Sequence, residues 1–313
     1  MAQNLLISIN AIIPFTFYVM AGYAARRLGW ADESLMNKLN TLIFKTFFPF
    51  MMFYNIYGAS FSFGAHVKLL IAGITTVLLL LVLLVLIVPH LVKENAKRGV
   101  IIQGIYRSNI LLLAIPLTEN LFGTQGAQSA TFLIAFIVPL YNVAAVVLLE
   151  HYAGRSSSFL GLIGKLFKNP LILGAVLGAL AKVCHIVLPA CIEKPVSVFS
   201  SVATPMGLFV LGGTLYFSQL GKNLKYLVPA LTTKLIVLPA LSLIVIRGLH
   251  FSGVESFIYF ALLATPVAAS SFPMAQNMGG DGELAGQFVF VSTVVSAFTL
   301  FFWIFALKTM GII

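Results

Sequence analysis

The chain contains ten apolar runs, each close to 20 residues long, set apart by charged or Gly/Pro-bearing breaks. A helix rises about 1.5 Å per residue, so runs of that length match a hydrocarbon layer of about 30 Å. They fall near residues 5–25, 39–57, 67–90, 99–121 and 127–149, and again near 169–187, 195–218, 225–247, 254–276 and 284–307. Hydrophobic residues make up 60% of the 313 and charged residues 9%, so the apolar surface exceeds what one soluble core buries. This excludes a water-soluble globular domain. The spacing predicts an all-α polytopic protein of ten transmembrane helices in a lipid bilayer. The N-terminal run lacks a basic leader and a small-residue cleavage site, and reads as a retained span rather than a signal peptide.

A net charge of +10 would suggest nucleic acid in a soluble protein; here the cations report topology, and no nucleic-acid partner is expected. Alternate loops divide the lysines and arginines unevenly. One side holds Arg26, Arg27, Lys38, Lys93, Lys97, Arg98, Arg155, Lys165, Lys168, Lys222 and Lys225, and the other Lys68, Lys182, Lys194, Arg247 and Lys308. The positive-inside rule therefore puts both termini on the non-cytoplasmic side and the linker 150–168, an amphipathic interfacial piece, inside.

At an offset of 157, Pro116, Asn120 and Gly123 fall on Pro273, Asn277 and Gly280, and Lys68 falls on Lys225. The halves read as duplicates: residues 1–149 form a first five-helix repeat, 150–168 a cytoplasmic linker, and 169–313 a second repeat. An odd number of spans inverts the second copy, an arrangement characteristic of transporters. Each proline frees a carbonyl four residues earlier, Leu112 or Ala269, and such breaks persist only against protein or a water-lined cavity. Helices 4 and 9 are thus expected to be broken at Pro116 and Pro273 and to cross near the midplane, with half-helix N-termini favouring an anion. The alternative for either proline is a packed kink.

Three cations lie within spans: Lys45, Arg107 and Lys234. Each either snorkels to the interface or serves the site. No carboxylate matches their depth. Cations, amides and helix N-termini without an acid suit an anionic substrate, with Asn109, Asn120, Gln276, Asn277, Ser270, Ser271 and Thr265 as hydrogen-bonding candidates. Interhelical hydrogen bonds are the alternative for each. Asn55 and Asn142 read as packing, and Gly174 and Gly178 as a small-residue contact between helices. Cys184 and Cys191 lack disulfide or metal spacing, and no nucleophile, nucleotide or metal motif is found, so neither an enzyme nor a metal or cofactor site is expected.

The stretches LNTLIFKTFFPFMMF, SNILLLAIPL, KNPLILGAVLGAL, ATPMGLFVLGGTL, KLIVLPAL and LLATPVAASSFPMAQNMGGD, in this order and spacing, resemble the auxin efflux carrier family over essentially the whole chain. Its bacterial members are often described as malonate or malate transporters, and the family is similar, more distantly, to bile acid, arsenite and riboflavin transporters. The resemblance implies two inverted five-helix repeats crossing at Pro116 and Pro273, and elevator-like movement of helices 3–5 and 8–10 against a scaffold of helices 1, 2, 6 and 7. It also implies a small organic anion as substrate, a homodimer through the scaffold, and site roles for Asn109, Pro116 and Pro273 with Lys45 and Lys234. The short central linker resembles bacterial members, implying a bacterial plasma membrane. The bile acid transporter likeness places sodium near Ser108, Asn109 and the freed carbonyls of Leu112 and Ala269, although the carboxylate such sites use is replaced here by ATPVAA at Ala264–Ala269.

Overall fold

A computed structural model describes residues 2–58, 66–154, 168–215 and 220–313. Most of the central linker, including Arg155 and Lys165, lies outside the described residues. The helices are α1 (Ala2–Arg27), α2 (Glu33–Lys45), α3 (Phe47–Tyr57), α4 (Val67–Leu91), α5 (Asn95–Tyr106), α6 (Ile110–Tyr152), α7 (Pro170–Val183), α8 (Ala190–Thr214) and α9 (Leu220–Thr232). A π-helical turn, Thr233–Val237, then leads into α10 (Leu238–Leu249), followed by α11 (Gly253–Ala264), α12 (Ser271–Asn277) and α13 (Gly282–Thr309). Residues 67–91, 126–152, 190–214, 221–249 and 282–309 are long and apolar enough to cross a membrane. Several of the other expected spans are built from two shorter helices.

The divisions have local causes. Span two splits at Thr46 because Pro49 stands third in α3, in a first turn whose N–H groups have no intrahelical partner anyway, while Thr46 Oγ1 bonds back to the Leu42 carbonyl. In span nine, Pro266 holds Thr265 extended (φ −71°, ψ 151°) and ends α11. Pro273 then takes the third position of α12. In span four α5 ends at Arg107, which is also extended (φ −89°, ψ 123°), and α6 begins one residue after Asn109. Pro116 sits seven residues into α6, inside helix. The first break therefore lies at residues 107–109 rather than at Pro116, and the second spans 265–270 rather than centring on Pro273. The polar run Arg-Ser-Asn, whose short side chains compete for backbone bonds, accounts for the first.

Gly123, at φ 70° and ψ −166°, bends α6 in a conformation closed to other residues. Its partner at offset 157, Gly280, does not repeat this; the left-handed glycine there is Gly279, at φ 83°.

Helices pack in two groups. Helix α8 lies along α1 and against α2 and α3, and α3 lies along α7. These contacts are backbone-close: a Cβ on Gly22 or Gly212 would overlap the Phe209 or Val19 carbonyl, and one on Gly174 or Gly178 the Pro49 or Phe53 carbonyl. In the second group, α11 packs on α6 and α10, α5 on α4, α6 and α13, and α12 on α13. Its centre holds Tyr106, Phe257, Tyr259, Phe260 and Phe288, all fully buried. The groups meet where α1 touches α13 and α6, and where α2 touches α12. Leu79, Leu83 and Leu86 of α4 stay exposed, an apolar face suited to lipid.

Candidate functional site

The two breaks satisfy one another. The Asn109 N–H donates to the Pro266 carbonyl at 2.7 Å, and Ser108 pairs with Val267 in an isolated antiparallel bridge. The Val267 N–H donates to Ser292 Oγ of α13 at 3.1 Å, and Thr265 Oγ1 to the Ala261 carbonyl at 2.9 Å. A few residues of unwound chain can persist among buried apolar helices only because such partners replace the missing helical bonds.

Two cations converge on the crossing. Arg107 is 2% exposed. Its Nη1 donates to Gln103 Oε1 at 3.0 Å and to the Met274 sulfur at 2.9 Å, and its Nη2 to Ser270 Oγ at 2.8 Å and to Asn142 Oδ1. Nε is buried without a partner. Among the described residues every acceptor is neutral, so the guanidinium is oriented but its charge is not compensated. Lys234, on the π-helical turn, is fully buried and its Nζ donates to Ser108 Oγ. The wider turn frees the Leu235 carbonyl, which accepts from Trp303 Nε1 at 3.0 Å.

Between the two helix groups lies a chamber of about 560 Å³, within the range of small-molecule sites. Phe15, Tyr18, Met51 and Leu208 give it apolar walls, and Asn55, Asn109, Asn120, Ser200, Ser201, Thr204 and Thr293 its polar positions. A narrow recess of about 50 Å³ continues from it, sharing Met51, Asn55, Asn109, Leu111 and Thr204, and reaches Arg107, Ser108, Asn142, Ala269 and Ser270. The chamber lies toward the Tyr57 end of α3. Toward the opposite rim, Gln276 Nε2 donates to Asn37 Oδ1 at 2.7 Å and Asn40 Nδ2 to Gln276 Oε1 at 2.6 Å, joining α12 to α2.

The residues singled out from sequence therefore separate. Asn109, Pro116 and Asn120 line the chamber; Arg107, Ser108, Asn109 and Ala269 line the recess. Lys234 stands behind Ser108 and lines neither. Pro273 is buried in α12, Asn277 Nδ2 bonds back to the Pro273 carbonyl at 2.8 Å, and Gln276 joins α12 to α2. Asn120 and Asn277, which coincide at offset 157 in the sequence, thus do different things. Leu112 lies inside α6, past the break. Lys45 is exposed at the end of α2, away from both cavities.

Asn55 and Asn142, read from sequence as packing, belong to this region: Asn55 lines both cavities and its buried Nδ2 has no partner, while Asn142 links Arg107 to the Met52 sulfur. Ser200, Ser201 and Thr204 were also missed. Their signal was the small polar run before Pro205 in an otherwise apolar span.

Two curated relatives align over nearly their full lengths. A protein described as an uncharacterized transporter from Methanocaldococcus jannaschii is 24% identical over 311 residues, covering 95% of this chain and 98% of the relative. A protein named "putative malonate transporter" from Rhizobium meliloti is 21% identical over 299 residues, covering 92% of each. Residues 7–304 match the family model described as membrane transport protein. With that match over nearly the whole chain, the protein belongs to the membrane transport protein family, the auxin efflux carrier family that its sequence resembles.

Proposed function

We propose that this integral membrane protein is a secondary active carrier for a small organic anion, a carboxylate such as malonate, malate or an auxin-like acid. The observation that carries the reading is the recess: it ends on a buried guanidinium whose acceptors are all neutral. A buried charge without a counter-ion is costly, and a bound carboxylate would supply one. Asn109 and Asn55 would orient the anion, and the apolar chamber walls would receive its carbon skeleton. The malonate named for the Rhizobium relative is of this class.

Two further features support an elevator in inverted repeats. The half-helices α5 and α11 are each twelve residues long and end in an extended residue at the crossing, at an offset of 158. The close-packed group α1, α2, α3, α7 and α8 would be the scaffold, and the group holding the crossing would move against it. The positive-inside orientation opens the chamber to the non-cytoplasmic side, with the Gln276 contacts closing the cytoplasmic side.

Uptake of labelled malonate and malate into proteoliposomes tests the function. Saturable uptake, accelerated by the same anion inside, is the expected result. Absence of uptake and exchange of both, by protein shown to be folded, would overturn the assignment.

A further inference from the structure

We propose that Lys234 is the proton-carrying group that couples this carrier to a proton gradient, acting on the substrate anion through Ser108. The inference rests on the anion-carrier reading above. Lys234 is fully buried, touches neither cavity, and has Ser108 Oγ as its hydrogen-bond partner. Ser108 faces the recess beside Asn109 and Arg107. One hydroxyl thus separates the amine from the space that an anion would enter.

An ammonium has three N–H donors, and among the described residues a single oxygen, Ser108 Oγ, accepts from this one. The elements packed on the π-helical turn are α5, α9, α10, α11 and α13. The acids among them, Glu255 and Glu283, stand at the first turns of α11 and α13. Their interior titratable groups are Arg107, Tyr106 and Tyr259, with Tyr141 beside Ser108 in the recess. None is an anion at neutral pH. The counter-charge that a protonated Lys234 needs is therefore the substrate itself. Proton and anion stabilise one another across Ser108, and this coupling is reciprocal: binding either favours the other.

The two cations divide the work. Arg107 cannot lose its proton and is the permanent binding charge, whereas a lysine amine can switch. In one cycle Nζ takes a proton from the side to which the chamber is open, relayed by the Ser108 hydroxyl, as the anion enters. It returns that proton to the other side when the anion leaves, and the neutral amine then accepts from the Ser108 hydroxyl on the way back. A sodium ion at Ser108 would meet the Lys234 ammonium, and like charges repel.

The test uses purified protein in proteoliposomes with the membrane potential clamped at zero and labelled malonate or malate as probe, whichever the wild type exchanges. Wild type should accumulate the anion about tenfold per unit of imposed pH gradient, for one proton per anion, with no response to sodium. Lys234→Gln and Lys234→Arg should still exchange anion for anion, at reduced rate, yet accumulate none. Lys234→Arg, which keeps a fixed charge, should also flatten the pH profile of exchange. Exchange itself reports folding, and if Lys234→Gln does not fold, Lys234→Arg decides. Proton-driven accumulation by either variant at the wild-type ratio would overturn the proposal, as would sodium-driven accumulation by wild type. If wild type exchanges neither probe, the carrier reading fails first and the proposal with it.

Discussion

The Asn109 amide and the Pro266 carbonyl meet at 2.7 Å, joining positions from opposite halves of the chain. This bond closes both helix breaks at once, and it depends on Pro266 holding Thr265 out of helical conformation. Pro266→Ala removes that restraint. The variant should lose about 1 kcal/mol of stability, show faster hydrogen exchange at the Asn109 amide, and transport at least tenfold more slowly. Wild-type exchange and transport in the variant would show that the crossing holds without the proline.

Arg107 reaches four acceptors in a planar fork. Arg107→Gln should raise the half-saturating anion concentration about tenfold or more, a loss of about 1.4 kcal/mol. Arg107→Lys should not rescue it, because a point ammonium cannot span the same partners. Transport assays across substrate concentration separate this from a loss of maximal rate. An unchanged half-saturation in both variants would remove Arg107 from the binding site.

Gly174 and Gly178 let α7 approach the backbone of α3. Adding a methyl at both sites should push the helices apart and cost about 1–3 kcal/mol each, measured by thermal unfolding in detergent. Ala substitution at Gly221, where open space surrounds the position, is the neutral control.

The bonds from Gln276 to Asn37 and Asn40 connect the two helix groups across one rim. In a background with Cys184 and Cys191 replaced by Ser, cysteines at Asn37 and Gln276 joined by a short bifunctional reagent should trap the chamber open to one side. Transport should stop on cross-linking and return on cleavage of the cross-link. Undiminished transport by the cross-linked protein would show that this rim need not open.

At the loop between α4 and α5, Lys97 hydrogen-bonds Glu94 and holds its carboxyl below the usual value of 4.5. Because the folded value is the lower one, the pair stabilises the fold at neutral pH and loses its effect as pH falls through that lowered value. Glu94→Gln should therefore differ slightly from wild type in unfolding temperature at pH 7 and converge with it in acid. The difference should be small, since the carboxylate is fully exposed.

Several residues that the fold brings to the candidate site stood out in linear order, and the reasons are local. Arg107 and Lys234 stood out because a charge inside an apolar run needs explanation wherever the helix packs. Asn109 and Pro116 stood out by their place in a broken span. Lys45 carried the same signal and proved exposed, because its helix ends there, and it lines neither cavity. The breaks were displaced for a related reason. A proline shows where a helix can be interrupted, but the chain unwinds where partners for the freed backbone exist, and for Asn109 that partner lies 157 residues away.

Hydropathy over 20 residues is a sum over neighbours in the chain, so linear order alone specifies an all-helical membrane protein. Packing, rather than linear order, brings Lys234 to Ser108, surrounds Arg107 with neutral acceptors, and puts Asn55 and Thr204 in one cavity with Asn109. Those are contacts between helices remote in sequence. Their distances follow from how closely small residues let the helices approach, which no single helix encodes.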